Sequence, residues 1–216
     1  TTGEFIAEGV TASAPKILLA AGEGCNILYY HSGNGLLRYG AAKRSFEEVL
    51  ANFTGQEDLN ALAYYNRRLY TLHPATNQIY RFGAAGSGFA TPQPWLRGPA
   101  DLQSAVSLAV DGEVYVLFSD GQIRRYASGR QQDFTVKSIE PAWNDPTKVV
   151  VSADSDLLYV LDPGNRRVVG VHKRTGTIVS QYRSDQFDNL RDLVVDYAAK
   201  QAYVLNGNSL YRFEVK

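Results

Sequence analysis

A single cysteine, Cys25, cannot close an intramolecular disulfide, so this 216-residue chain is not a disulfide-stapled scaffold. A chain of this length buries a core of its own without staples. An excess of charge of one sign is also missing. The 22 Lys and Arg cancel the 22 Asp and Glu, which removes the global field that draws proteins to phosphate backbones or anionic membranes. No nucleic-acid partner is expected. No apolar run reaches about 18 residues, so no membrane insertion of this domain is expected either. The opening TTGEFIAEG has neither the charged nor the apolar region of a signal peptide. Methionine is absent altogether, which suggests a processed protein or a domain cut from a longer parent. Missing too are a G-x-S-x-G elbow, a phosphate-cradling loop, CxxC and HExxH. The expectation is a monomeric, non-enzymatic domain with no cofactor and no metal.

What the chain does contain is a repeat. An apolar-Tyr-apolar-Leu core occurs at Leu69-Tyr70-Thr71-Leu72, Val114-Tyr115-Val116-Leu117, Leu158-Tyr159-Val160-Leu161 and Ala202-Tyr203-Val204-Leu205, with a degenerate copy at Leu28-Tyr29-Tyr30-His31. The marker tyrosines 29, 70, 115, 159 and 203 are spaced by 41, 45, 44 and 44 residues. Seven to nine residues later comes a second strand that reads apolar, any, Arg, aromatic in four of the five copies, at Leu36, Ile79, Ile123 and Leu210; Val168-Val169-Gly170-Val171 is the exception. Phe46, Phe89, Phe134 and Ile178 open a further segment, and KILLA, NALAYY, SLAV, KVVVS and DLVVD precede the tyrosines. Four short strands recurring every 40 to 45 residues are the signature of a β-propeller blade. The expected fold is all-β, a five-bladed β-propeller over 1–216 with blades at 15–57, 58–100, 101–144, 145–188 and 189–216 plus 1–14. Gly3-Glu4-Phe5-Ile6-Ala7 is expected to supply the outer strand of the last blade and close the ring, leaving no free sheet edge.

The run from Tyr159 to Gly176, YVLDPGNRRVVGVHKRTG, resembles the NHL propeller repeat, whose core reads YVxDxxNxRVxVFxxxG. The other four copies match in layout. The resemblance implies a recognition domain of the kind found in bacterial sensor proteins, and so an extracytoplasmic part of a membrane-anchored signalling protein rather than a cytoplasmic one. It also implies that Asp162 and Asn165 shape the turn between second and third strands, as Asp and Asn side chains bond nearby backbone N–H groups. A calcium ladder is disfavoured, because the other copies read HSGN, HPATN, FSDG and NGN there.

Function on such a scaffold lies in the loops. The candidate binding residues are His31, Asn34, His73, Asn77, Trp95, Asp120, Trp143, Asp162, Asn165, Arg167 and Asn206, read as protruding from the face built by second-to-third-strand turns and inter-blade connections. Trp95 and Trp143 sit on those connections, where an aromatic is a sugar platform, a partner anchor or an inter-blade plug. His31 and His73 stand one register step apart and lack the spacing of a metal pair. Arg38, Arg81, Arg125 and Arg212 recur at one position of the repeat, and Asp58, Asp101, Asp145 and Asp188 recur ahead of each innermost strand. Blade-to-blade ion pairs between the two sets are expected. The expected partner is a protein, peptide or glycan. The competing readings are a propeller-scaffold enzyme of lyase or glycoside-hydrolase type with a central-channel site, and a lectin-like glycan binder.

Overall fold

The computed structural model describes residues 18–21, 27–31, 35–40, 45–49 and 58–216. They form successive antiparallel sheets, within which each strand pairs with the next in the chain apart from one short outer strand of the second sheet. The chain divides into two compact units, Thr1–Trp95 and Leu96–Lys216. No helix of the described residues is long and apolar enough to cross a membrane.

The first unit holds two sheets. Sheet 1 is β1 (Leu18–Ala21), β2 (Ile27–His31), β3 (Leu36–Gly40) and β4 (Ser45–Val49). Sheet 2 is β5 (Ala61–Tyr65), β6 (Arg68–His73) and β7 (Gln78–Ala85), with two short outer strands, β8 (Gly88–Phe89) and β9 (Gln93–Pro94), both on β7. Leu36, Val49, Leu59, Leu62, Leu69 and Phe82 form their shared core.

The second unit holds three sheets. Sheet 3 is β10 (Ala105–Val110), β11 (Val114–Phe118), β12 (Ile123–Ala127) and β13 (Arg130–Gln132), and sheet 4 is β14 (Lys148–Val150), β15 (Leu157–Asp162), β16 (Arg167–His172) and β17 (Ile178–Arg183). Sheet 5 has three strands, β18 (Leu190–Asp196), β19 (Gln201–Asn206) and β20 (Ser209–Glu214). Sheet 4 shows why Leu-Tyr-Val-Leu is apolar without interruption. Strand alternation sends Leu158 and Val160 into the core shared with sheet 3, and Tyr159 and Leu161 into the core shared with sheet 5. Each such side chain taken from water contributes about 1.5–3 kcal/mol.

The five-blade expectation is corrected in one respect. Four sheets carry the full complement of strands, whereas the fifth has three, because no outer strand pairs with β20 among the described residues. The Gly3–Ala7 segment expected to fill that place lies outside the described residues, as does Asn34. A second correction concerns sheet 3. Its outer strand is Arg130–Gln132, ahead of Phe134, because Ser128 and Gly129 make a tight left-handed turn (φ 49° and 80°) that folds the chain straight back.

The odd copy of the repeat has a packing cause. In the other sheets the marker tyrosine stands opposite the recurring arginine, as Tyr70 opposite Arg81 and Tyr115 opposite Arg125. In sheet 4 it stands opposite Gly170. A Cβ there would crowd Ser180 Oγ and the Tyr159 ring, so the tyrosine occupies the room an arginine side chain would need.

Candidate functional site

In unit 2 the turns between second and third strands are tied to the incoming connections by one recurring backbone bond. Ser119 N–H donates to the Ser104 carbonyl (2.9 Å), Gly164 N–H to Asn144 (2.9 Å) and Gly207 N–H to Asn189 (2.8 Å). In sheets 4 and 5 the residue ending the second strand adds a side-chain acceptor. Asp162 Oδ1 takes the Asn144 N–H at 2.9 Å and Asn206 Oδ1 takes the Asn189 N–H at 2.8 Å. These turns are therefore built as anchors for the connections beside them.

The tightest anchor belongs to the DPGNRR motif. Arg167 and Asp162 are fully buried and paired at 2.6 Å. The remaining donors of Arg167 go to Gln181 Oε1 (2.7 Å) and to the carbonyls of Pro141 (2.8 Å) and Ala142 (3.3 Å). Asn165 Nδ2 also donates to the Ala142 carbonyl (2.7 Å) and to Asp162 Oδ2 (2.9 Å). The guanidinium lies over the Trp143 ring at 5.5 Å. One acidic, one amide and one cationic side chain thus hold the 141–144 connection and set Trp143 in place.

Trp143 in turn walls a cavity of about 460 Å³. One side is the end of sheet 3, Asp120 to Ile123; the other is the extended run from Phe134 to Ile139. Gly121 has φ +86°, and a Cβ there would fall on the Trp143 ring, so only glycine lets the turn lie this close to the indole. Asp120 Oδ1 takes the Gln122 N–H at 2.8 Å and closes the turn. The far wall is held away from the sheet, because Lys137 N–H donates to the Gly176 carbonyl at 2.8 Å and a Cβ on Gly176 (φ +68°) would collide with the Thr135 carbonyl.

This diversion leaves part of β12 without an outer strand partner among the described residues. Alternation along β12 aims the N–H and C=O of Ile123, Arg125 and Ala127 away from β11. The outer strand β13 reaches only Arg125 and Ala127. Ile123 therefore has no strand opposite on that side among the described residues, and it is itself buried in the core shared with sheet 4.

The predicted binding residues separate into groups. Asp120 and Trp143 come together at this cavity. Asp162, Asn165 and Arg167 support its wall. The expectation that all of them protrude is corrected, since Asp162, Arg167, His73 and Asn206 are buried. His73 hydrogen-bonds Thr71 Oγ1 at 2.8 Å and meets the edge of Tyr80; Asn206 Nδ2 donates to Asp188 Oδ1 and the Gln186 carbonyl, both at 2.9 Å. Asn77 caps the turn after β6 in a left-handed conformation, and half-buried Trp95 packs edge-on against Tyr70. His31 ends β2.

The expected Arg–Asp ladder is corrected as well. Arg38 pairs with Glu47 directly across the sheet at 3.1 Å, and Arg125 faces Glu113 at 3.7 Å. Arg81 lies against the Tyr70 hydroxyl and lowers its pKa, although burial outweighs this and raises it overall. Arg212 makes no ion pair among the described residues. Asp58 and Asp145 are exposed, Asp101 Oδ1 caps the Gln103 N–H, and Asp188 bonds Asn206. Neighbouring strands within a sheet offer carboxylates closer than the next connection does. Among the described residues no group of three His, Cys, Asp or Glu is gathered as for a metal ion.

No family model matches the chain, and no curated protein matches it. Solved structures do match. A Bacteroides uniformis protein provisionally assigned as a 6-phosphogluconolactonase is similar with TM-score 0.62 at 14% identity, over 92% of this chain and 67% of its own. A streptogramin B lyase matches with TM-score 0.57 at 11% identity (92% and 68%). A nidogen/laminin complex matches with TM-score 0.64 at 13% identity (92% and 75%). The chain is a β-propeller. At these identities the likeness is one of fold.

Proposed function

We propose that this chain is a non-enzymatic recognition module that receives an extended polypeptide segment in the Trp143 cavity. The observation that carries the reading is the cavity walled by Trp143, beside a position of β12, Ile123, that has no strand opposite among the described residues. An incoming strand gains main-chain hydrogen bonds from such an edge and side-chain contacts from the walls, which is strand addition. Phe134, Val136, Ile139 and Trp143 supply apolar surface, and Asp120 and Glu140 give the rim two carboxylates against one cation, Lys137. The favoured segment is apolar with a basic flank. One neighbour in fold is described in complex with laminin, which is in keeping with a protein partner.

The test is a peptide array probed with the intact chain and with Trp143→Ala. Binding of extended apolar-basic peptides that falls at least about tenfold in the variant supports the reading, since an anchor aromatic contributes about 2 kcal/mol or more. Selective retention of glycans instead of peptides supports the lectin-like alternative.

A further inference from the structure

A smaller cavity, of about 360 Å³, lies at the opposite end of β12 from Trp143, between the connection 96–100 and the β12–β13 hairpin. Its two walls are fixed to each other by the backbone. Arg97 N–H donates to the Gly129 carbonyl at 2.8 Å, and the left-handed pair Ser128 and Gly129 turns the chain so that Arg130 lines the cavity together with Arg97. Pro99 stiffens the connection by locking its own φ.

The charge of the lining is all of one sign. Arg97 and Arg130 are its ionised side chains, and among the described residues no carboxylate lines it. Neither guanidinium has an acceptor among the described residues. The flanking Asp101 turns its Oδ1 to the Gln103 N–H at 3.2 Å. Elsewhere the arginines find carboxylates within their own sheet, as Arg38 does with Glu47 and Arg125 with Glu113. Here two like charges share one small space without a counter-charge, an arrangement that an anion between them relieves.

A separate observation concerns Tyr126, which also lines the cavity. It is 1% exposed, and its buried hydroxyl finds no acceptor for its proton. Arg124 beside that hydroxyl lowers its pKa, but burial outweighs this and raises it overall. The group is thus a neutral phenol with a donor to spare.

We infer that this cavity binds a small tetrahedral dianion, a phosphate monoester or the free phosphate or sulfate ion, gripped by the guanidinium forks of Arg97 and Arg130 with the Tyr126 hydroxyl as a further donor. Planar guanidinium forks match such oxyanions bidentately. Two uncompensated positive charges call for two negative ones, which favours a dianion over a monocarboxylate. The volume falls within the range of small-ligand pockets. This site is separate from the Trp143 cavity and does not depend on it.

The experiment is isothermal titration of the full chain with inorganic phosphate, sulfate, phenyl phosphate and acetate at one fixed ionic strength. Saturable binding of the dianions, tighter than that of acetate and at least about tenfold weaker in Arg97→Gln and in Arg130→Gln, is expected. Phenyl phosphate binding more tightly than inorganic phosphate assigns the site to a monoester, and the reverse order assigns it to the free ion. Arg97 and Arg130 are exposed, so both variants keep the fold. Arg191→Gln removes an exposed arginine away from the cavity and is expected to leave the affinity unchanged. No saturable binding up to about 10 mM, acetate binding as tightly as the dianions, an affinity unchanged in either cavity variant, or an equal loss in Arg191→Gln would overturn the inference.

Discussion

Arg167 directs its guanidinium entirely inward, to Asp162, Gln181 and two connection carbonyls, with no exposed surface left for a ligand. Removing one side of a fully buried pair strands the other charge. Arg167→Gln is therefore expected to lower stability by about 3–5 kcal/mol, read as a lowered denaturant midpoint. Gly121→Ala places a methyl group on the Trp143 ring in a left-handed conformation. Overpacking of this kind costs about 1–3 kcal/mol, and the displaced indole is expected to show a shifted fluorescence maximum in a Trp95→Phe background. At this scale the sequence is partly legible. Asp162 and Asn165 do stand at the turn, but the expected capture of its own N–H groups is corrected: Asp162 makes no cap bond there and accepts from Asn144, 18 residues away, while Asn165 donates to the Ala142 carbonyl. The burial of Arg167 is not legible, since arginine is a surface residue unless paired, and the acceptors it finds on Pro141 and Ala142 lie 26 and 25 residues away.

Strands and connections carry the next level of the account. The second strands are readable because both faces of a middle strand are buried, which makes Leu-Tyr-Val-Leu apolar throughout. The outer strand of sheet 3 is not. Phe134, Val136 and Ile139 give 134–139 an apolar character that imitates a strand, yet one backbone bond from Lys137 to the turn at Gly176 draws the run away from β12. The cavity exists because of that diversion. Gly176→Ala is expected to push the 135–137 run back, costing about 1–2 kcal/mol for the left-handed backbone alone and weakening any ligand in the Trp143 cavity. The interface between sheets 4 and 5 makes a prediction about pH. The Tyr159 hydroxyl donates to the Lys216 carbonyl at 2.6 Å, and burial, aided by Tyr182, pushes its pKa from 10.0 up to about 12. The folded state thus favours the neutral phenol. Its stabilising contribution is whole below pH 10 and is lost as pH rises through 12. Denaturant midpoints should fall across that window, and less steeply in Tyr159→Phe.

At the scale of the molecule, the propeller is legible in the repeat alone, because five copies of one four-strand layout exclude a sandwich or a barrel. The last sheet departs from that expectation, with three strands in place of four among the described residues. The function is far less legible, because the proposed site is made by a strand edge left unpaired, and pairing is invisible to composition and spacing. The central claim is therefore tested most directly at the Ile123 amide, by hydrogen exchange of the intact chain with and without an array-selected peptide. The account predicts added protection of that amide on binding, together with a shifted Trp143 indole resonance. Peptide binding that leaves the Ile123 amide unprotected and the Trp143 indole unmoved would contradict it.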